Sequence, residues 1–304
     1  MPSSGSIDYE LDAAGIIEHA LKEIGVLGAG DTVDSNDQAD ALVQLNLMVK
    51  LDQAKGLKLW RVREGKLFVV KDQVSYSLPG ANACDIDELH ETTLDAAEAS
   101  GQTVLSVTAT TGFTASDVIG VVQDDDTIHW STIASFVADD TVTIDDALTG
   151  SAASGNKVYV YTTAAPRPLR ITSCRRELDD NEIPMFRLSR DEYFDLPNKS
   201  TSGVPTQFYY DPQKGVGKLY VWQPASSVDN EINFTYLDSL EDFDATTDTS
   251  DYPQEWMSYL ISNLAIRLAP QHGKQVSQST LLWAADSRKA LEEWDQEEDS
   301  VYFG

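Results

Sequence analysis

Two stretches near the N-terminus have apolar residues at helical spacing. In residues 12–24 the apolar positions are Ala13, Ile16, Ile17, Ala20, Leu21 and Ile24. This stripe predicts an amphipathic helix that ends at Gly25. A second helix is predicted from Ser35, as its N-cap, to Gly56. The residues predicted to line its inner side are Leu42, Leu45, Leu47, Met48 and Leu51. The two helices form a hairpin that needs a partner to cover its apolar sides.

After residue 58 the hydrophobic pattern changes to the alternation of β-strands. The run LWRVREGKLFVV (59–70) alternates on both sides of Glu64-Gly65. It predicts a β-hairpin that turns at these two residues. The run VSYSLPG (74–80) predicts a further strand, which Pro79-Gly80 ends.

Residues 90–163 have the pattern of a small antiparallel β-module. The predicted strands lie in TVLSVTA, DVIGVVQ, TIHWSTIASFV, TVTID and KVYVYTT. Short strands at this spacing predict a sandwich or a barrel. Residues 72–156 contain 15 acidic residues and no Lys or Arg. This shift in composition indicates that the module is an insertion.

The pattern of β-strands continues from residue 167 to residue 237. The predicted strands lie in LRITSCRR, PTQFYYD, KLYVWQ and EINFTYL. The loop PQKGVG predicts a hairpin between the second and third of these strands, and residues 190–205 predict an irregular loop with a short helix at most.

A helix with clear start and stop signals is predicted from residue 253 to residue 269. Asp251 is its expected cap, Pro253 fits its first turn, and Glu255 suits the positive end of the helix dipole. Its apolar positions recur every four residues, at Trp256, Leu260, Leu264 and Leu268. Pro270 stops it. A last helix is predicted at 277–294, with a weak stripe formed by Leu281, Ala284, Ala285, Leu291 and Trp294.

These elements together predict an α+β fold. The expected architecture is a helical bundle, made of the N-terminal hairpin and the C-terminal helices, with a β-rich domain and an inserted small antiparallel β-module. The expected segments are the N-terminal helical hairpin (1–58), a β-hairpin region of the core (59–89), the inserted module (90–163), the β-rich core (164–250), the C-terminal helices (251–294) and a C-terminal arm (295–304).

The chain is strongly acidic, with 50 acidic and 22 basic residues and a net charge of −28. Such a chain repels nucleic-acid phosphates unless its basic residues are sorted onto one face. The basic residues form two groups: Lys55, Lys58, Arg61, Arg63, Lys66 and Lys71, and then Arg167, Arg170, Arg175, Arg176, Arg187 and Arg190. These side chains either pair with nearby acids or form a surface for an acidic partner.

No sequence motif points to a catalytic, metal or cofactor site, so we expect none of these. The sequence has no nucleophile elbow, zinc-protease motif, P-loop or dinucleotide-binding glycine motif. The four histidines lack metal-ligand spacing. Cys84 and Cys174 are expected to be free thiols. A catalytic pair of carboxylates cannot be recognised by counting in so acidic a chain. No run of 18 apolar residues predicts a membrane span.

Several stretches resemble one known family, the head-to-tail adaptors of short-tailed bacteriophages (the tail accessory factor and tail tubular protein A family). The stretches are ALKEIGVLGAGDTVDSNDQADALVQLNLMVKLDQAKGLKLW (20–60), RPLRITSCRR (167–176), EIPMFRLSRDEYFDLPNK (182–199), GVPTQFYYDPQ (203–213), GKLYVWQPA (217–225), EDFDATTDTSDYPQEWMSYLISNLAIRLAP (241–270) and DQEEDSVYFG (295–304). The resemblance covers most of the chain outside the middle module. One departure is Gln223 before Pro224, where the family pattern leads us to expect Trp-Pro.

The resemblance implies a structural virion protein of the tail or neck, assembled in the host cytoplasm. In this family a ring, usually of twelve copies, lies under the portal protein and extends the channel for DNA during ejection. It also offers a platform to the tail nozzle and fibres. DNA is expected to pass through the lumen without specific binding, and the basic groups are expected to face a neighbouring subunit or the portal.

The resemblance also assigns roles to particular residues. An acidic C-terminal arm is expected to dock on the portal through Ser300, Val301, Tyr302 and Phe303. The residues expected at the subunit interface or within the helical bundle are Asp251, Glu255, Trp256, Leu260 and Leu264.

Two other functions stay open from the sequence. One is a tail-associated glycan hydrolase that uses a pair of carboxylates, which a peptidoglycan-degradation assay would reveal. The other is a host glycan-binding module in residues 90–163, which glycan binding by that segment would support.

Overall fold

The computed structural model describes residues 9–55, 59–178 and 181–294. The chain divides into two compact units. We call residues 1–61 with 239–304 the helical unit and residues 62–238 the sheet unit.

The described residues form five α-helices and fifteen β-strands. The helices are α1 (Ala13–Glu23), α2 (Ser35–Lys55), α3 (Arg190–Asp195), α4 (Met257–Leu268) and α5 (Gln278–Trp294). The strands are β1 (Val62–Leu67), β2 (Ser75–Leu78), β3 (Ala83–Asp85), β4 (His90–Thr93), β5 (Val104–Ser106), β6 (Val118–Val122), β7 (Ile128–Val137), β8 (Thr141–Ile144), β9 (Lys157–Tyr161), β10 (Arg170–Leu178), β11 (Asn181–Pro184), β12 (Phe186–Arg187), β13 (Gln207–Asp211), β14 (Gly217–Trp222) and β15 (Glu231–Leu237).

The predicted fold class, an α+β fold led by a helical bundle, is wrong because the protein is mostly β-sheet. Its strands form three sheets of five, four and six strands, and one of these sheets is a half-barrel. The prediction gave too much weight to the helices because their periodicity is long and easy to recognise. The short strands β3, β4 and β12 have too few residues for alternation to be visible, and pairing with distant partners stabilises them.

The helical unit packs α1, α2 and α5 against α4. Helix α1 begins where predicted, because the Asp12 side chain accepts a hydrogen bond from the Gly15 amide at 2.8 Å. Its apolar stripe is buried as predicted. These buried side chains belong to one core with the buried residues of α2 and α4.

The predicted start of α4 is wrong in one respect. Asp251 does not cap this helix; a 3₁₀ turn, Gln254–Trp256, precedes it instead. The Asp251 carboxylate accepts a hydrogen bond from the Glu241 amide at 2.8 Å. This acid therefore fixes the preceding loop rather than the helix end.

Two sheets of the sheet unit enclose one core. The five-stranded sheet has the order β11-β10-β15-β1-β3, and the four-stranded sheet has the order β12-β13-β14-β2. Side chains of both sheets form one buried cluster, which includes Phe208 of β13 and Phe234 of β15. The strands predicted after residue 167 are all present, and so are the hairpin loop and the short helix α3.

The hairpin predicted at Glu64-Gly65 is also wrong, because both residues lie inside the continuous strand β1. Gly65 pairs with Phe234 on one side and with Asp85 on the other. A Cβ atom at Gly65 would lie 2.5 Å from Cζ of Phe234. Glycine therefore stands here because an aromatic ring covers the strand, and not because the chain turns.

The six-stranded sheet is the predicted β-module. Its order is β4-β9-β6-β7-β8-β5, and it has its own buried cluster. The five predicted strands are confirmed, and β4 is an additional strand. An isolated bridge joins Leu94, next to β4, to Val107, next to β5. The two edges of the sheet therefore meet, which explains its curvature.

Candidate functional site

The helical unit has a core of aromatic side chains around the start of α4. The ring of Trp256 lies 4.6 Å from that of Trp60, 5.2 Å from that of Tyr252 and 5.3 Å from that of Tyr259, measured between centroids. The Tyr259 hydroxyl donates to the Asp52 carboxylate of α2 at 2.9 Å. This cluster fixes α4 to α2 and to the turn that precedes β1.

Three of the residues predicted for the interface or the bundle belong to this core. Trp256, Leu260 and Leu264 are fully buried. They hold the helices of one chain together, so a neighbouring copy cannot contact them without unfolding the unit.

Asp251 and Glu255, the two predicted polar residues, lie nearer the surface. Asp251 pairs with Arg61 at 3.3 Å and lines a cavity of about 470 Å³ beside the loop 240–252. Glu255 is exposed and accepts a hydrogen bond from Gln254 at 3.4 Å. Arg61 also donates to the carbonyl of Ser239. The ion pair with Arg61 thus ties Asp251 to its own chain, while the Glu255 side chain is exposed to solvent.

The predicted portal-docking residues Ser300, Val301, Tyr302 and Phe303 lie outside the described residues. Their role stays a prediction of the sequence.

The predicted inner side of α2 is wrong for two of its residues, and this error reveals an apolar surface. Leu45 and Met48 are buried as predicted, and Leu42 is partly buried. Leu47 and Leu51, however, lie outside, in line with Val43. The three side chains are between 44% and 57% exposed. We call Val43, Leu47 and Leu51 the α2 face.

The reason for the error is that α2 has apolar residues on both sides. Residues four apart lie on one side of a helix, so Val43, Leu47 and Leu51 form a stripe of their own. A helix that is apolar on both sides is normally buried on both sides. The sequence of α2 already indicated a second apolar side, because it has more apolar positions than one stripe can hold.

Helix α5 has a second exposed apolar surface. Leu281, Leu282 and Trp283 follow one another in its first turns and are between 47% and 58% exposed. The side of α5 that meets the helical unit has Thr280, Ala284 and Leu291 instead. A run of three exposed apolar residues is rare on a soluble surface without a function. We call Leu281, Leu282 and Trp283 the α5 face.

Charged residues lie beside both faces, including exposed Lys50 on α2 and exposed Asp286 on α5. On α2, Asp40 is exposed one turn before Val43. On α5, Lys289 contacts only Glu293 among the described residues, at 3.8 Å, and both side chains are well exposed. Exposed ion pairs of this kind contribute about 0 to 1 kcal/mol. They can therefore exchange partners at little cost.

The sheet unit contains a cleft of about 500 Å³ with a cluster of charges. Lys66 of β1 lies 2.6 Å from Glu231 of β15, 3.1 Å from Glu91 of β4 and 3.3 Å from Glu177 of β10. Lys157 of β9 lies 2.7 Å from Glu231. These ion pairs join strands of the β-module to strands of the sandwich.

The pKa shifts in this cleft favour the charged forms. Burial alone would raise the pKa of Glu231, but hydrogen bonds from Lys157, Lys66 and Tyr159 lower it below its usual value. Burial alone would lower the pKa of Lys66, but its contacts with Glu231 and Glu91 raise it. At neutral pH Glu231 is therefore a carboxylate and Lys66 an ammonium group, so the central pair is charged.

Among the described residues, Lys66 and five further members of the two basic groups pair with acids of the same chain. The pairs are Arg61 with Asp251, Arg63 with Asp85, Lys71 with Asp126, Arg175 with Glu64 and Glu182, and Arg190 with Asp211. Arg176 donates to Asn230 at 3.1 Å. The prediction that these bases pair with nearby acids is thus confirmed for the six that form ion pairs. Exposed Arg170 and Arg187 have no ion pair within the described part of the chain.

The cysteine and histidine side chains, which could take part in catalysis or metal binding, are dispersed. Cys84 and Cys174 are free and buried, and burial raises the pKa of both thiols, that of Cys84 to about 12. His129 is buried and bonds through Nε2 to the carbonyl of Asp146 at 3.0 Å. Within the described residues, no three His, Cys, Asp or Glu side chains converge as metal ligands. No described helix is long and apolar enough to cross a membrane.

Comparison with known proteins adds no relative. No protein-family profile matches the chain, and no curated protein gives a significant match to its sequence.

Proposed function

We propose that this chain is a structural protein that assembles side by side into a ring and joins the portal to the tail of a short-tailed bacteriophage. It acts without catalysis, as a head-to-tail adaptor of the virion, and extends the channel through which DNA leaves. Its partners are further copies of itself, twelve in the ring that the resemblance implies, the portal protein, and the tail nozzle or fibres.

The observation that carries the proposal is the pair of uncovered apolar faces on the helical unit. Val43, Leu47 and Leu51 on α2, and Leu281 to Trp283 on α5, are half exposed in a chain with a net charge of −28. Exposed apolar side chains that occur singly need no explanation, but contiguous ones mark association surfaces. Two different faces on one unit suit a head-to-tail contact, which closes into a ring.

The distribution of charge supports passage of DNA without binding. A lumen for DNA must offer few free cations, because each phosphate contact adds salt-dependent affinity. Six of the twelve bases in the two groups pair with acids among the described residues, such as Arg175 with Glu64 and Glu182. The remaining acidic excess repels the phosphates.

The segment 295–304 supplies the contact with the portal. It has four acidic residues, then the aromatic pair Tyr302 and Phe303. The acids favour a solvated arm before assembly. Burial of each aromatic side chain on the portal contributes about 1.5–3 kcal/mol. Repetition around a ring multiplies weak single contacts into firm attachment.

The test mixes the purified protein with its cognate portal protein and counts bound copies by native mass spectrometry and negative-stain microscopy. We expect a ring on each portal, and we expect removal of residues 299–304 to weaken it. The control is Tyr9→Ala, which removes an exposed tyrosine elsewhere in the chain. Failure of the intact protein to bind the portal, or strong salt-sensitive binding to DNA, would overturn the proposal.

A further inference from the structure

We infer that the α2 face of one copy packs antiparallel against the α5 face of the next copy, with Leu47 opposite Leu282 and Asp40 opposite Lys289. The inference rests on the proposed ring and names the side chains that would form its repeated contact. It follows from the exposure, the helical positions and the charges of these residues.

The two faces match in chemistry. Each offers three large apolar side chains, all roughly half exposed. Along α2 the distance from Val43 to Leu51 is about 12 Å, two turns of helix. On α5 the side chains of Leu281 and Trp283 flank Leu282 on either side, because successive residues are about 100° apart. Leu282 is therefore the central residue of the α5 face.

The charged residues lie on the same lines as the apolar ones. At about 100° per residue, Asp40 projects about 20° from Leu47 on α2, and Lys289 projects about 20° from Leu282 on α5. Both are exposed. Asp40 therefore faces the same partner helix as Leu47, and Lys289 faces the same partner helix as Leu282.

The spacing of charge and leucine fixes the direction of the contact. Asp40 precedes Leu47 by seven residues, and Lys289 follows Leu282 by seven residues. Both offsets correspond to about 10.5 Å along the helix axis. When the helices run antiparallel with Leu47 opposite Leu282, the acid and the base meet.

A parallel arrangement lacks this match. With the same leucines opposite each other, Lys289 would lie against Ala54, and Asp40 would lie beyond the first residue of α5, Gln278. Only the antiparallel register gives both the apolar contact and the charge pair. Charge pairs across an interface fix register and orientation in this way.

A contact between unlike faces also covers both faces with a single interface. If α2 packed against α2 of a second copy, the α5 faces of both copies would stay exposed. A head-to-tail contact repeats from copy to copy and covers every face once a ring closes.

The experiment measures self-association by sedimentation velocity at high protein concentration, and ring formation on the portal by native mass spectrometry. Leu47→Glu and Leu282→Glu should each weaken association about tenfold to a hundredfold, since each removes one buried leucine from the contact. The matched control is Val137→Glu in β7, where the valine is 57% exposed, as is Val43 of the α2 face. It should associate as the unchanged protein does.

Mixing the two leucine variants tests whether the contact is head-to-tail. Leu47→Glu retains an intact α5 face and Leu282→Glu retains an intact α2 face, so the mixture should form dimers and nothing larger. If the contact were between like faces, Leu282→Glu alone would still dimerise through α2, and mixing would add nothing. That result would overturn the inference.

The charge pair gives a second test that does not disturb apolar packing. Asp40→Lys and Lys289→Asp should each weaken association several-fold, and the double variant should restore it. Equal melting temperatures of all variants would show that folding is intact. Unchanged association in both single variants, or no restoration in the double variant, would contradict the register.

The outcomes separate this inference from the proposed function. If the unchanged protein forms rings on the portal and the α2 and α5 variants do so equally well, only the inference fails. If the unchanged protein forms no ring with or without the portal, the proposed function fails, and the assignment of the contact fails with it.

Discussion

The helical unit and the sheet unit differ in where they place their apolar and charged side chains. The sheet unit draws charges inward, with Lys66 and Glu231 buried against each other. Its exposed apolar side chains are spread over many elements, at most two on each strand. The helical unit has an aromatic centre around Trp256, in which Tyr259 binds the buried Asp52 carboxylate, and it collects its exposed apolar side chains into two faces. The sheet unit thus spreads its exposed apolar side chains thinly, whereas the helical unit leaves two groups of neighbouring apolar side chains exposed.

The difference follows from the two periodicities. In a strand, alternate residues point to opposite sides, so one set fills a core and the other meets solvent. In α2 the apolar residues exceed one stripe, and the surplus forms a second stripe that nothing in the described chain covers. Helices can in this way present one face to their own fold and another to a second molecule.

The largest expected effect is on the core of the helical unit. Trp256→Ala should lower the free energy of unfolding by about 3–5 kcal/mol, because it leaves a cavity among Trp60, Tyr252 and Tyr259. Urea denaturation followed by circular dichroism measures it. The neighbouring Glu255→Ala should change stability by less than about 0.5 kcal/mol, since Glu255 is exposed. Similar losses in both variants would contradict the assignment of Trp256 to the core.

The next effect tests the charged cluster of the sheet unit. Lys66→Met should cost about 3 kcal/mol, the lower end for a broken buried pair, because Lys157 and Tyr159 still contact Glu231. The comparison variant is Lys71→Met, which breaks an exposed pair with Asp126 and should cost at most about 1 kcal/mol. If urea denaturation gave equal losses of unfolding free energy for Lys66→Met and Lys71→Met, burial would not distinguish the two ion pairs.

A smaller effect is expected at the glycine that the sequence pattern placed in a turn. Gly65→Ala should cost about 1–3 kcal/mol, because its Cβ would overlap the ring of Phe234. Val62→Ala, on an exposed position of the same strand, should cost about 0.5 kcal/mol. Thermal melting measures both. A stable Gly65→Ala variant would argue for the turn instead.

The smallest expected effect is the pH dependence of the stability of the sheet unit. Because the folded pKa of Glu231 lies below the ordinary value of 4.5, its stabilisation is complete above that pH and is lost as the pH falls through the folded value. Because the folded pKa of Lys66 lies above 10.5, its stabilisation is complete below that pH and is lost as the pH rises through the folded value.

The measurement is the difference in unfolding free energy between the unchanged protein and Glu231→Gln at several pH values. It should be constant near neutral pH and shrink below pH 4.5. Val137→Ala removes no ionisable group, so its difference should stay level over the same range. A Glu231→Gln difference that grows towards acid pH would reverse the sign of the assigned shift.

Much of the local structure could be predicted from the sequence. Asp12 and Gly25 delimit α1, and the strands of the β-module are visible in their alternation and turn residues. The errors occurred where a local pattern had two solutions. Glu64-Gly65 is equally suited to a turn and to a strand under an aromatic ring, and only the distant Phe234 decides between them.

The candidate site was predicted less well than the strands. The sequence pattern selected Trp256, Leu260 and Leu264, whose four-residue spacing marks a helix face, yet spacing cannot tell which molecule covers that face. The same limit assigned Leu47 and Leu51 to the inside of α2. In the last helix the predicted stripe was wrong for Leu281, which is 47% exposed, and it did not include the exposed Leu282 and Trp283.

The sequence by itself determined the excess of acids, the periods of most helices and strands, and the short motifs that resemble an adaptor family. Only the tertiary structure decided which apolar residues are buried, which bases are neutralised, and that sheets rather than helices dominate the fold. The physical reason is that period and propensity act over a few neighbouring residues. Burial and ion pairing depend instead on contacts between residues far apart in the chain, such as Lys66 with Glu231 and Trp60 with Trp256.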